Sequence, residues 1–354
     1  MRKLKIAQIA PLYESVPPKW YGGTERVVSF LTEELVAQGH DVTLFASGDS
    51  KTDARLVPVC ERSLRLDDKC EDQLVHHVAM LQRVLDESDR FDLIHFHIDY
   101  IHFPLSRLMQ LPHVTTLHGR LNIPDLKPFY NIFGDMPVIS ISHAQRTPLA
   151  EANWIGNVYH GLPIDLFRPN FESGKYLAFL GRISREKGLD QAIEIAIQTG
   201  LPLKVAAKID KNDQEYYEVH LKEKMNHRLI EYIGEICESE KNEFLGNATA
   251  LLFPINWDEP FGLVMIESLA CGTPVVAYNK GSVPELVTHG VSGFIIDNQA
   301  DAIKAVQNIG LVERKECRRA FEERFTSARM AQDYLRVYNR VLESEKDIYD
   351  LKLI

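Results

Sequence analysis

The chain has 354 residues, 45% apolar and 25% charged, a composition that suits a globular protein of two ordinary domains rather than one. Its net charge of −10 argues against a nucleic-acid partner, and no apolar run is long enough to span a bilayer. The five cysteines are scattered and odd in number, which fits neither a disulfide framework nor a zinc pattern and predicts a reducing, cytoplasmic home.

From the N-terminus onward, short apolar runs alternate with segments of helical period, the pattern of a parallel α/β sheet. The start has a basic head but only a brief apolar run and no small-residue cleavage site, so it reads as a first strand, Lys5–Ala10, not a signal peptide. Gly22 and Gly23 then make a turn that lets the backbone approach a ligand closely. Thr24 caps the first helix, Val27, Val28, Leu31 and Leu35 recur on its buried face, and Gly39 closes it. Strands follow at 41–47, 91–97, 113–118, 137–142 and 157–160. His118 ends one of them and points at the cleft expected between the two halves. His95, His97 and Asp99 alternate along another, a spacing open to a metal. That set lacks a fourth ligand, and strand ends often carry polar residues that line a cleft.

The rhythm breaks at Leu162–Pro169, and the polar stretch 170–175 follows as a linker. A second α/β series then begins afresh, with strands at 176–181, 203–207, 230–234, 250–253, 274–278 and 293–296. Helices are expected at 188–199, 263–270 and 302–309. Beyond Thr326, Met330, Tyr334, Val337, Tyr338 and Val341 form a helical stripe with no strand after it. The expected organisation is an N-terminal domain over 1–168, a second over 169–325 and a final helix within 326–354. Ligands of such sheets gather at the carboxyl ends of the strands.

Two loops of the second series carry the chemistry. Gly181 turns out of a strand and is followed by Arg182 and Lys187, a planar fork and a point charge suited to a diphosphate and to its departure as a leaving group. Glu259 and Glu267 stand eight positions apart across Pro260-Phe261-Gly262, where a strand gives way to a helix. The helix start offers free N–H groups and positive dipole, a seat for phosphate. Glu267 is about 8 Å further along by helical rise, a distance that suits a sugar hydroxyl attached to the phosphate. The surrounding run Leu263–Ile266 is apolar, so a carboxylate at 267 needs a partner, and a ligand hydroxyl is a candidate. The two acids therefore have separate duties, unlike the paired carboxylates that flank one bond in glycosidases.

Together these residues resemble the retaining family-four glycosyltransferases. Glu259-Pro260-Phe261-Gly262 with Glu267 looks like their Glu-x7-Glu motif, Gly181-Arg182 with Lys187-Gly188 like their phosphate loop, and Gly22-Gly23-Thr24-Glu25 like their N-terminal glycine loop. Gly272–Glu285 and Gly290–Phe294 also match, and the resemblance runs from about residue 4 to residue 340. The first fifty residues are similar to a narrower bacterial group that includes pterin glucosyltransferases. The resemblance implies the GT-B fold: two Rossmann-like parallel-sheet domains facing across a cleft, with the last helix crossing back to the first. It implies that Glu267 binds the ribose, Arg182 and Lys187 the diphosphate, and the backbone of Phe261, Gly262, Leu263 and Val264 the phosphate and sugar. It places Glu259 at the sugar hydroxyls, His118 near the reacting sugar, Gly22 and Gly23 near phosphate and acceptor, and the base near Gly234 and Glu235.

The function expected is metal-independent, retaining transfer of a hexose, glucose before mannose, from a UDP sugar to a small-molecule, glycan or lipid-linked hydroxyl. No Asp-x-Asp stands in a suitable strand-end loop, and no cofactor is expected besides the nucleotide sugar as co-substrate. Membrane contact is at most peripheral, and the chain is expected as monomer or homodimer. The rivals are a GT-B sugar-nucleotide epimerase, which needs no acceptor, a phosphorylase, which usually needs a longer chain, and a non-catalytic sugar-nucleotide-binding protein.

Overall fold

The computed structural model describes residues 2–20, 22–172 and 174–352, with side chains through Glu343. Tyr21, beside the glycine pair, and Ser173, in the predicted linker, lie outside the described residues. Contacts within the chain divide it into two compact units, Met1–Pro163 with Ser327–Ile354, and Ile164–Thr326.

In the first unit, β1 (Lys5–Ile9), β2 (Asp41–Ala46), β3 (Arg55–Pro58), β4 (Leu93–Phe96), β5 (His113–Thr116), β6 (Val138–Ser140) and β7 (Trp154–Asn157) form a parallel sheet among the described residues. Their order is β3-β2-β1-β4-β5-β6-β7. The chain thus winds outward from β1 in one direction, returns, and winds outward from β4 in the other. Ile6, Ala7 and Ile9 of β1 and Leu93, Ile94 and Phe96 of β4 are almost wholly buried, as a strand covered on both faces requires.

Three sequence expectations change here. The first helix runs Gly23–Ala37 with Gly22, not Thr24, as its N-cap, because the Gly22 carbonyl already accepts from Arg26 N–H at 3.2 Å. The edge strand β3 went unseen: it has four residues, ends in Pro58 and buries only Val57, so it shows no alternation. The last strand of this sheet lies at Trp154–Asn157 instead of 157–160, and its residues are all half-buried, which blurs the apolar signal.

The second unit carries β8 (Tyr176–Arg182), β9 (Leu203–Lys208), β10 (Ile230–Gly234), β11 (Ala248–Phe253), β12 (Val275–Tyr278) and β13 (Gly293–Ile296), all pairing in parallel in the order β10-β9-β8-β11-β12-β13. β8 and β11 are neighbours, with Leu251 opposite Ala178. The chain reverses its winding between them, so the loops leaving these two strands flank the topological switch point.

The final helix, Ser327–Lys352, belongs to the first unit. Met330, Tyr334, Leu335, Val337 and Tyr338 are buried, and the helix packs on Gly23–Ala37. Burial of such side chains contributes about 1.5–3 kcal/mol each. Among the described residues, no helix is long and apolar enough to cross a membrane.

Candidate functional site

In the second unit, the switch-point loops bring together residues far apart in sequence. Arg182 is the last residue of β8, and Lys187 ends a short turn, Arg185–Lys187, that follows it. The loop after β11 lies alongside, tied by a hydrogen bond from Asn256 N–H to the Glu186 carbonyl at 2.8 Å. That contact sets Lys187 against Glu259, and the two form an ion pair with side chains 19% and 12% exposed. The Lys187 ammonium also lies 5.3 Å from the Trp257 ring centroid and 5.8 Å from that of Phe253. The two ring faces hold the ammonium itself by cation–π attraction, beside its carboxylate partner.

Glu259 is itself held from behind. Its carbonyl accepts from Ser282 N–H at 3.0 Å, Gly281 N–H donates to Asp258 at 3.1 Å, and the Ser282 hydroxyl donates to the Phe261 carbonyl at 2.6 Å. Phe261 is buried, and Gly262, with φ of 85°, turns the chain into the helix Leu263–Ala270. Leu263 and Val264, half-buried, supply the first N–H groups of that helix.

Arg182 stands apart from this pair. Its guanidinium faces Asp210 at 3.6 Å and Asp213 at 3.7 Å, and Lys208 also reaches Asp210 at 3.1 Å. These aspartates follow β9, and no sequence pattern singles them out.

Glu267 departs from expectation more sharply. Its side chain is 4% exposed and accepts from Lys241 Nζ at 2.7 Å, while Lys241 also pairs with Glu238 at 3.3 Å. The partner required for a buried carboxylate is therefore a protein lysine on the helix Glu238–Gly246, and sequence reasoning missed it. Gly234 ends β10 with φ of 82°, and Glu235, which follows it, is exposed.

An open groove of about 800 Å³ in this unit borders the same loop through Arg185, Gly188 and Asn256 but contains none of Arg182, Lys187, Glu259 or Glu267. Its cations are Lys224 and Arg185, and Arg185 is already stacked over Tyr216 at 5.1 Å and hydrogen-bonded to His220 at 3.0 Å. The charged groups, not this groove, mark the candidate site.

In the first unit, Gly22 packs where a Cβ would meet Pro18 at 2.7 Å, and Gly23 opens the first helix. His118 follows β5, and His97 follows β4. His97 Nδ1 lies 2.9 Å from His118 Nε2, and His97 Nε2 lies 2.8 Å from Gln8 Oε1. Both nitrogens of His95 are also engaged, with Tyr338 and Thr116, each at 2.7 Å. Burial drives His95 and His97 well below the ordinary histidine range and His118 down to about 3, so these rings are neutral hydrogen-bonding groups. Asp99, the third member of the alternating set, is exposed on a left-handed turn with φ of 53°. All four ring nitrogens of His95 and His97 are thus engaged without Asp99.

Family models match both halves of the chain: Glycosyltransferase Family 4 over residues 21–155, and Glycosyl transferases group 1 over residues 165–327. A 41.2 kDa protein of the cps region of Klebsiella pneumoniae is 28% identical over 169 residues, 46% of this chain and 45% of that protein. A glycosyltransferase of Methanocaldococcus jannaschii is 23% identical over 336 residues, 82% of this chain and 84% of that protein. Among solved structures, Anabaena HepE in complex with UDP and glucose superposes with a TM-score of 0.74 at 19% identity, covering 95% of this chain and 100% of HepE. At that identity the likeness speaks for the fold.

Proposed function

The chain belongs to the group 1, family 4 glycosyltransferases of GT-B fold, and from that premise we propose that it is a retaining hexosyltransferase using UDP-glucose. The observation that carries this reading is the Lys187–Glu259 pair at the switch point, beside the start of the Leu263–Ala270 helix. A diphosphate arriving at that helix start takes Lys187 as its counter-charge, with Arg182 from the neighbouring strand end. The positive helix terminus adds to both. These fixed charges stabilise the leaving group as it departs, the task a metal ion performs elsewhere. Glu259, released from the lysine, accepts from hydroxyls of the sugar. Glu267 binds the ribose while Lys241 keeps its charge balanced, and Gly234 and Glu235 flank the base. In the first unit, His118, Gly22 and Gly23 keep the roles the resemblance gives them.

The chemistry is a front-face exchange. The bond from the anomeric carbon to the phosphate oxygen breaks, the bond to the acceptor oxygen forms on the same face, and the acceptor proton passes to the departing phosphate. The acceptor is a small-molecule, glycan or lipid-linked hydroxyl. HepE, solved with UDP and glucose, supports the choice of donor.

The test is UDP release from UDP-glucose with a panel of acceptors, and an NMR reading of the product's anomeric configuration. Arg182→Ala and Lys187→Ala are each expected to lose turnover by at least about a hundredfold, the scale of one stabilising group at a developing charge, with melting temperature kept. Near-normal turnover in both, or an inverted product, would overturn the reading.

A further inference from the structure

A buried polar cluster of the first unit joins the sheet to the final helix. Gln8 and His95 are register partners on β1 and β4, and both are fully buried. Tyr338 of the final helix touches both, with its hydroxyl 3.3 Å from Gln8 Nε2 and 2.7 Å from His95 Nδ1. From Gln8 the hydrogen bonds run on through His97 to His118. They stop there: His118 Nδ1 is shielded from solvent and has no partner among the described residues.

We infer that Gln8, His97 and Tyr338 are positioning residues that order the protons of this cluster, holding His118 as the Nε2–H tautomer with Nδ1 left as an acceptor for a sugar hydroxyl. A neutral imidazole has one donor and one acceptor, and a phenol has a single proton, so one choice propagates along the chain. The 2.7 Å contact is short enough for the phenol to donate to His95 Nδ1, whereas 3.3 Å is long for O–H···O and fits a slack N–H donor from the Gln8 amide. With Gln8 Nε2 turned to Tyr338, its Oε1 faces His97 and accepts from Nε2–H. His97 Nδ1 is then bare and accepts from His118 Nε2–H. His118 Nδ1 is left as an acceptor without a donor, a shielded atom that has lost its water and stays unsatisfied until a donor arrives. A ligand hydroxyl is such a donor, and exposed Gly119, where a Cβ would meet nothing within 4 Å, leaves the adjoining backbone uncrowded. The tautomer follows from the network alone; the sugar as its partner rests on the function proposed above.

Long-range proton–nitrogen spectra of the 15N-labelled full chain test the tautomer directly, with the His118 ring assigned by its disappearance in His118→Asn. A pyridine-type Nδ1 with a pyrrole-type Nε2 is expected, and the reverse overturns the inference. Gln8→Leu removes the acceptor that fixes His97, so a mixture of His118 tautomers is expected, with kcat/KM for UDP-glucose down about tenfold, the size of one hydrogen bond. Binding of UDP alone, which lacks the sugar, should not move. Tyr338→Phe, a milder change should Gln8→Leu fail to fold, should loosen the same preference. Unchanged spectra and kcat/KM in both variants would overturn the relay. Full turnover in His118→Asn would instead remove His118 from the sugar, and the spectra would still decide the tautomer.

Discussion

Glu267 and Lys241 show how a single buried charge depends on its partner. Truncating the lysine leaves a carboxylate 4% exposed without its counter-charge, whereas neutralising the glutamate leaves Lys241 with Glu238. Lys241→Met is therefore expected to destabilise the fold by about 3 kcal/mol and Glu267→Gln by about 1 kcal/mol, a ranking read from urea midpoints. Equal losses would mean that Glu267 is not held by that lysine. The histidines make a second prediction. His95, His97 and His160 are held well below their ordinary range by burial, and His118 at about 3. Below about pH 6.5 the unfolded chain takes up protons that the folded chain refuses, so stability is complete above that pH and is lost as pH falls. Each such histidine contributes a slope of up to about 1.4 kcal/mol per pH unit. Burial raises the carboxyl of Glu25, which works in the opposite sense but is outnumbered by the depressed histidines. Melting temperature should drop steadily from pH 6.5 to 4.5; a flat profile would show that the imidazoles are not buried as described.

At the scale of elements, the helix Leu263–Ala270 has the bounds its sequence predicts, because four successive apolar residues and the Pro-Phe-Gly turn define it locally. What seats it is not local. Gly281, from the segment after β12, has φ of 51°, and a Cβ there would meet the Glu259 backbone at 2.5 Å. Gly281→Ala should cost about 2 kcal/mol or more, combining left-handed strain with displaced backbone. Because that backbone carries Glu259, turnover should fall even at temperatures where the variant is fully folded. Retained kcat in a destabilised variant would separate the turn from the site. The same contrast governs the charged pairs. Helical period exposes partners three or four positions apart, but Lys187 and Glu259 are 72 positions apart, and Lys241 and Glu267 are 26 apart. Neither separation leaves a trace in periodicity.

For the molecule as a whole, the chain returns at Ser327 to complete the unit it began, so the first unit holds both ends of the described sequence. The helical stripe after Thr326 shows that a helix exists but not what it covers. Removing residues from Ser327 onward should expose the helix Gly23–Ala37 and the Gln8–His95 cluster, and lose amide protection throughout β1, β4 and β5. The strands of Ile164–Thr326 should retain theirs, read by hydrogen exchange. Uniform loss across both units would mean that they fold as one.

By itself the sequence determined the alternation of strands and helices, the restart near residue 170, the Glu259–Glu267 turn and the family resemblance. All of these are written in local pattern: apolar period, turn residues and short motifs. Only the tertiary structure decided that Lys187 faces Glu259, that Arg182 faces Asp210 and Asp213, that Lys241 neutralises Glu267, and that Tyr338 closes a hydrogen-bonded chain ending at His118. Those pairings depend on which strands become neighbours. A parallel sheet sets its neighbours through crossovers tens of residues long, so the contacts at its strand ends appear only once the sheet is wound.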